Sequence, residues 1–439
     1  MVRNIAAIIV SKIAFFLIKF LSIGSGSTWP GEIAMMLNPR FISDILTSSP
    51  IKVILVAGTN GKTTTATLLK SILGYQGKKV IHNEEGANLL NGIASCLVKN
   101  AHIFGRLNCQ FAIFEVDENT LPLALKVYTP DAMVLLNLFR DQLDRYGEVN
   151  TIAHKWHKAL RNLPAKVKLF LNADDPQIRY LAEDLNTNVH YFGLDKKRMK
   201  KSQLSHDVDS IYCPCCGTKL DYEAISYSHL GNYRCKSCGF NRGMPYTFDD
   251  WTIHPKVKGI YNQYNISAAI LVSKVLCSFP KKDVIESIEN FSPAFGRQEK
   301  MNVNKREITI LLSKNPTGFN QSIDTVGEIL SGKKSNMLLI LNDRIPDGRD
   351  VSWIWDVDFE NLFSSANTIF VSGDRAYDLA LRLFYAGFST QKTEVFGEDI
   401  KKAVIQTMDS TPEGKQIIIL ATYSAMLEVR QALAGRKFL

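Results

Sequence analysis

The 439-residue chain predicts an α/β architecture with two sheet domains: a larger one interrupted by a cysteine-rich insertion, then a smaller one. Three observations predict it. Short β-branched runs alternate with helix-periodic stretches from Ile51 to about Phe192, and again after Gly296-Arg297. The first run ends in a glycine turn that opens a helix, and five of the eight cysteines crowd between Cys213 and Cys238. With 46% hydrophobic and 22% charged residues the composition is that of an ordinary globular enzyme, which excludes extensive disorder and collagen-like repeats. The formal charge of +9 is too dilute to establish nucleic-acid binding; it favours an acidic or phosphorylated partner or an anionic membrane surface.

Taken in order, residues 1–40 form an N-terminal helical segment. Residues 5–21 are very apolar, but Lys12 and Lys19 interrupt them, leaving no charge-free run near the roughly 18 to 20 residues a membrane span needs. Lys12 also breaks a signal-peptide core, and Gly24-Ser25-Gly26-Ser27 only loosely imitates a cleavage site, so the expected location is the cytoplasm. Both lysines fall on one helical face. The remaining apolar surface has two readings, packing on the protein itself or lying on a membrane or a partner.

Residues 41–298 read as the central ATP-binding domain, with strands expected at 53–57, 80–82, 111–116, 132–136 and 169–171. The first runs into Gly58-Thr59-Asn60-Gly61-Lys62-Thr63-Thr64-Thr65 and a helix-compatible stretch. In such a turn the glycines let backbone N–H groups curl around phosphates, Lys62 reaches the β- and γ-phosphates, and the Thr63 hydroxyl can ligate Mg²⁺. The strand at 111–116 ends in Glu115-Val116-Asp117-Glu118, carboxylates at the edge where open α/β sheets bind ligands; Mg²⁺ held there would bridge Thr63, Glu115 and nucleotide oxygens. Arg140-Asp141-Gln142-Leu143-Asp144-Arg145-Tyr146 is either a polar site cluster or a solvated helix start.

The insertion, about 205–250, holds Cys213-x2-Cys216 and Cys235-x2-Cys238, each pair followed by glycine and eighteen residues apart. That is the spacing of a tetrahedral zinc ribbon, whose four thiolates leave no open position, so the zinc is expected to be structural. Residues 299–439 repeat the alternation, with strands expected at 308–312, 337–341, 368–371, 394–396 and 417–420. The run from Asn342 through Asp347, Gly348, Arg349 and Asp350 to Asp356 follows one of these strands. It reads either as a turn with a packed tryptophan pair or as a carboxylate presented to a substrate or partner.

The glycine turn, Glu115, Leu171-Asn172-Ala173-Asp174-Asp175-Pro176, Gly259-Ile260-Tyr261-Asn262-Gln263-Tyr264-Asn265 and Gly296-Arg297-Gln298-Glu299 together resemble the Mur ligase family. The resemblance implies a central P-loop ATPase domain followed by a Rossmann-like C-terminal domain, and ATP-dependent amide formation through an acyl phosphate. It implies phosphate contacts from Gly58, Thr59, Asn60, Gly61, Lys62, Thr63 and Thr64, and Mg²⁺ at Thr63 and Glu115. Adenine contacts would come from Asn172, Asp175 and Asn265, and a phosphate or ribose contact from Arg297. The chain departs from the amino-acid-adding members: Gln142 replaces a metal-binding histidine, and Ser313-Lys314-Asn315-Pro316 stands where an Asp-Tyr-Ala-His-Asn-Pro run is usual.

The four-cysteine insertion, Pro30-Gly31-Glu32-Ile33-Ala34, His82-Asn83-Glu84-Glu85-Gly86-Ala87-Asn88, Arg140 to Arg145 and the 347–356 run are instead similar to the branch of the family that amidates lipid II. That resemblance implies transfer of ammonia to the α-carboxylate of D-glutamate, giving D-isoglutamine. The ammonia would come from a separate GatD-like glutamine amidotransferase subunit whose catalytic triad Asp350 completes. It also implies work at the inner face of the membrane, with no role for nucleic acid. Two competing readings are an amino-acid ligase related to folylpolyglutamate synthases and a zinc-ribbon ATPase that binds nucleic acid.

Overall fold

The computed structural model describes residues 2–21, 27–83, 86–141, 148–200, 204–205, 207–292 and 297–434. Gly24, Ser25 and Gly26, Glu84 and Glu85, Gln142 to Tyr146, and Gly296 lie outside the described residues.

The first sheet comprises β1 (Lys52–Ala57), β2 (Val80–His82), β3 (Phe111–Val116), β4 (Ala132–Leu135), β5 (Lys168–Asn172) and β6 (Asn188–Phe192). They run in the order β2-β3-β1-β4-β5-β6, every pair parallel. Buried on both faces, β1, β3 and β4 read as apolar runs, interrupted only by Lys52 at the start of β1 and by Glu115 near the end of β3, as suits the inner strands of a parallel sheet. Separate apolar cores lie on the two faces, one against the N-terminal helices and Leu90–Asn100, the other against helices Lys62–Tyr75 and Ile260–Cys277. Register brings Val56 beside Glu115 and Ala57 beside Leu135, so the glycine turn leaves the sheet between the ends of β3 and β4.

The insertion contributes an antiparallel hairpin, β7 (Asp221–Tyr227) and β8 (Leu230–Arg234), turning through Ser228 at φ +46°. Tyr233 donates its hydroxyl to the Ala173 carbonyl at 3.0 Å, which pins the hairpin to the end of β5. The second sheet is β9 (Arg297–Val303), β10 (Arg306–Leu312), β11 (Ser335–Ile340), β12 (Ala366–Ser372), β13 (Thr393–Val395) and β14 (Gln416–Ala421), ordered β13-β12-β11-β14-β10-β9. Only β9 is antiparallel to its neighbour among the described strands of this sheet. The boundary expected after residue 298 therefore falls two residues into β9.

All ten expected strands are present, β2 and β3 with the expected ends and the others shifted by one or two residues; besides the hairpin β7-β8 of the insertion, β6 and β9 were not expected. Both are edge strands with half-exposed polar faces, and neither has the apolar run that marks an inner strand. The N-terminal segment is helical at Val2–Phe20, Trp29–Leu37 and Phe41–Thr47. Gly31 lets the second of these lie directly on Leu90–Asn100: a Cβ there would come within 1.9 Å of the Asn91 carbonyl oxygen, and its N–H donates to Ser95 Oγ at 2.7 Å. No described helix is long and apolar enough to cross a membrane.

Candidate active site

The glycine turn is built from backbone conformations that side chains resist. Gly58 has φ +141° and Gly61 φ +90°, and a Cβ on Gly61 would lie 2.2 Å from Asn265 Oδ1. The strand-β4 exit completes the cradle: Asn137 Oδ1 accepts from the Asn60 N–H at 2.8 Å, and Thr59 Oγ1 accepts from the Phe139 N–H at 3.0 Å. Thr64 is buried at the start of the following helix. Lys62 is buried with Nζ donating to the Gly58 carbonyl at 2.5 Å and facing Glu118 at 3.3 Å, so its charge is held at the mouth of the turn. A helix N-terminus, a cradle open only to glycine and a captive lysine form a fitting seat for nucleotide phosphates.

Beside the turn, Thr63 Oγ1 donates to Glu115 Oε2 at 2.6 Å while His82 Nε2 lies 3.0 Å from Glu115 Oε1. Asn83 fixes the strand end beneath, accepting from the Glu115 N–H at 2.8 Å and donating to the Glu115 carbonyl at 2.9 Å. Burial acts to raise the Glu115 carboxyl, but His82, Thr63 and the charge of Arg297 outweigh it and hold the group below the usual range. An ionised carboxylate and a hydroxyl converging beside a phosphate seat are hard oxygen donors suited to Mg²⁺. His82 is a partner the sequence reasoning missed. Its signal was present, a histidine ending β2, but only the sheet order puts β2 next to β3.

The other predicted nucleotide contacts divide. Asn265 reaches the base of the turn, where Oδ1 accepts from Thr65 Oγ1 at 3.2 Å and Nδ2 donates to Asn262 at 3.1 Å. Arg297, at the start of β9, is close enough to Glu115 to affect its ionisation. Asn172 and Asp175 are wholly buried. Asn172 donates to the Leu136 carbonyl at 2.8 Å, and Asp175 caps helix Pro176–Tyr180 while accepting from the Leu138 N–H at 2.8 Å. In this conformation these two side chains frame the site from behind.

The second domain closes one side of the site through the Asn-Pro segment. Asn315 caps helix Pro316–Leu330 by accepting from the Gly318 N–H at 2.7 Å and exchanges amide contacts with Asn60 at 3.3 and 3.5 Å. Lys314 pairs with buried Asp141 across the domains. Burial alone would lower the Lys314 ammonium; Asp141, then Glu118, reverse that and raise it. Sequence reasoning treated this segment only as a departure, and missed Lys314 as a contributor.

Asp350 belongs to the second domain, exposed on the loop after β11. Oδ1 accepts from the Ser352 N–H at 2.8 Å, and these bonds to Ser352 hold the carboxyl below its ordinary value. Asp347, three residues earlier, points inward and accepts from the Ser424 N–H at 2.9 Å. The tryptophans do not pack as a pair: Trp353 lies 6.2 Å from Phe319, while half-exposed Trp355 lies 5.7 Å from Tyr385. Arg140 ties this loop to the rest. Its Nε meets Asp209 Oδ1 of the insertion at 2.6 Å, and its Nη2 meets Asp356 Oδ2 at 3.1 Å.

The predicted metal knuckles converge. The sulfurs of Cys213, Cys216, Cys235 and Cys238 all lie within 4.8 Å of one another, with Cys213 to Cys238 at 3.6 Å and Cys216 to Cys235 at 3.5 Å. A tetrahedron with Zn–S bonds of about 2.3 Å has edges of about 3.8 Å, so the donor set fits zinc. Cys215 is exposed and outside the group.

Comparison with known proteins follows this geometry. The family model of the Mur ligase middle domain matches residues 56–273, and that of the MurT ligase C-terminal matches residues 312–426. The chain is 35% identical over 399 residues to the lipid II isoglutaminyl synthase (glutamine-hydrolyzing) subunit MurT of Staphylococcus aureus (strain COL), covering 88% of each. It is 32% identical over 435 residues to the same-named subunit of Streptococcus pneumoniae, covering 94% of each. Among solved structures, a pseudomurein peptide ligase type C from Methanothermus fervidus superposes with a TM-score of 0.68 at 22% identity, over 90% of this chain and 81% of that one. MurF ligase from Thermotoga maritima, in complex with ADP, gives a TM-score of 0.64 at 14% identity, over 92% and 84%. These two likenesses establish the fold.

Proposed function

The chain belongs to the MurT family of Mur ligase-like proteins, and on that premise we propose that it is the ATP-dependent amidoligase subunit of a lipid II isoglutaminyl synthase in peptidoglycan synthesis. It converts the α-carboxylate of D-glutamate in the lipid II stem peptide to the amide of D-isoglutamine. The observation that carries the reading is the presence, in one chain, of a phosphate seat at Lys62, Thr63 and Glu115 and, on the second sheet domain, an exposed, ionised Asp350.

The first site suits activation. A substrate carboxylate oxygen attacks the γ-phosphorus of ATP, the bond to the bridging oxygen breaks, and ADP leaves an acyl phosphate. Gly58 to Thr64 orient the phosphates, and Lys62 is placed to swing from Glu118 onto the transferring group, where charge must be neutralised. Thr63 and Glu115 would hold Mg²⁺, which when bound screens the phosphate charges. Asn265 and Arg297 contact the nucleotide directly, and Asn172 and Asp175 support the adenine wall. Ammonia then attacks the acyl carbon, phosphate departs with the C–O electrons, and the nitrogen gives up a proton. A nucleophile this small needs no amino-acid pocket, which agrees with the altered residues, Ser313 and Lys314, before Asn315-Pro316.

Asp350 suits a different task. Exposed and ionised, it can orient the imidazole of a GatD-like glutaminase subunit and stabilise its cationic form, the role of a third triad member. The four cysteines hold a structural zinc, and the heterodimer meets lipid II at the inner face of the membrane. Co-expression with a GatD-like subunit and an assay on lipid II tests this. ATP- and glutamine-dependent amidation is expected, and Asp350→Asn should cut glutamine-driven amidation by about 10³-fold while supplied ammonia still supports the reaction. Unchanged stem peptide with folded subunits would reject the function; loss of both activities in the variant would reject the role of Asp350.

A further inference from the structure

The N-terminal helix Val2–Phe20 is amphipathic in an unusual sense. Its inner face, with Ala7, Ile8 and Ser11 buried, packs on the neighbouring helices, and Lys12 reaches inward to the Ala101 carbonyl at 2.7 Å. Its outer face is the more apolar one: Ile9, Val10, Ile13, Phe16, Leu17 and Phe20 recur at helical spacing and are all exposed, Phe16 by 67% and Phe20 by 75%. A solvated helix face carries polar residues, so this stripe is built to be covered. Two neighbours extend it. Trp29 is 69% exposed at the start of the next helix, and Phe104 is 58% exposed in the loop after Leu90–Asn100, whose Ala101 carbonyl accepts from Lys12 of the first helix.

The charge on the helix itself has one sign. Arg3, Lys12 and Lys19 are its charged residues, and on the adjoining elements exposed Lys99 and Arg106 outnumber exposed Glu32. An apolar stripe rimmed by cations complements an anionic lipid surface, in which such a helix lies along the plane with its apolar side among the acyl chains. As described, this helix is not long and apolar enough to cross a membrane. The helix that carries the patch is also linked, through neighbouring elements, to the β3 end of the site. Trp29–Leu37 rests on Leu90–Asn100, and the turn that leads into that helix is tied to the end of β3, where the Asn88 carbonyl accepts from the Asp117 N–H at 3.1 Å.

We infer that the outward face of helix Val2–Phe20, with Trp29 and Phe104, docks the protein on an anionic membrane and so presents the β3 end of the site to a lipid-linked substrate. This deepens the proposed function by naming the surface that meets the membrane, and its test needs no substrate, so either can fail alone. The full chain with its partner subunit would be sedimented with vesicles of phosphatidylcholine alone or with roughly one-third phosphatidylglycerol. Binding is expected to the anionic vesicles, weaker by about fivefold for each engaged cation on neutral ones. Phe16→Ser with Phe20→Ser should reduce it on the order of 100-fold, with thermal midpoint and ammonia-driven amidation of a water-soluble stem peptide unchanged. Ile13→Ser provides a milder variant if the double one does not fold. Failure of the wild type to bind anionic vesicles, or full binding by the variants, would overturn the inference. So would a wild-type dimer of the complex that these variants convert to a single copy, since the face would then be covered by a second chain.

Discussion

Two carboxylates at the carboxyl edges of the two sheets stand in opposite surroundings. Glu115, near the end of β3, is buried and gripped by Thr63, His82 and the Asn83 amide, with Arg297 nearby. Asp350, on the loop after β11, is exposed and accepts from the Ser352 N–H. Both are held ionised, one by charges and donors that overcome burial, the other by local bonds in water. The difference teaches what each end can act upon. A buried, pre-organised carboxylate serves a small ligand that enters the protein; an exposed one serves a group that arrives on another protein.

The largest expected effect separates the two ends. Lys62→Ala should reduce amidation on the order of 10³-fold with glutamine and with ammonia alike, because it removes charge from the phosphate seat. A loss confined to the glutamine reaction would break the assignment of roles. Next comes the insertion that stands between them. Purified protein should contain about one zinc per chain, and Cys235→Ser should remove it and lower the thermal midpoint by roughly 5–10 °C. Full zinc occupancy in that variant would contradict the four-thiolate site.

The smallest effect tests the link. Arg140 binds Asp209 of the insertion and Asp356 of the Asp350 loop, and it follows the β4 exit that cradles Thr59 and Asn60. Arg140→Ala should lower glutamine-driven amidation by about 3- to 10-fold with a much smaller change in the ammonia reaction, since a partly exposed ion pair contributes on the order of 1 kcal/mol. Equal loss in both reactions would place Arg140 with the nucleotide seat instead.

What the sequence by itself determined is local and covalent in origin. The apolar runs of β1, β3 and β4, the glycine turn that only glycines can adopt, and the Cys-x2-Cys pairs each write their structure within a few residues. The edge strands β6 and β9 escaped because a half-exposed strand needs no apolar run. Tertiary structure alone decided which chain segments meet. It set His82 on Glu115 through the order of the sheet, Lys314 on Asp141 and Asn315 on Asn60 across two domains, and turned Asn172 and Asp175 inward behind the site. It also chose which face of the first helix stays outside, a matter of what the rest of the chain leaves uncovered. Periodicity reports that a helix has an apolar side; only the packed neighbours decide whether that side is used.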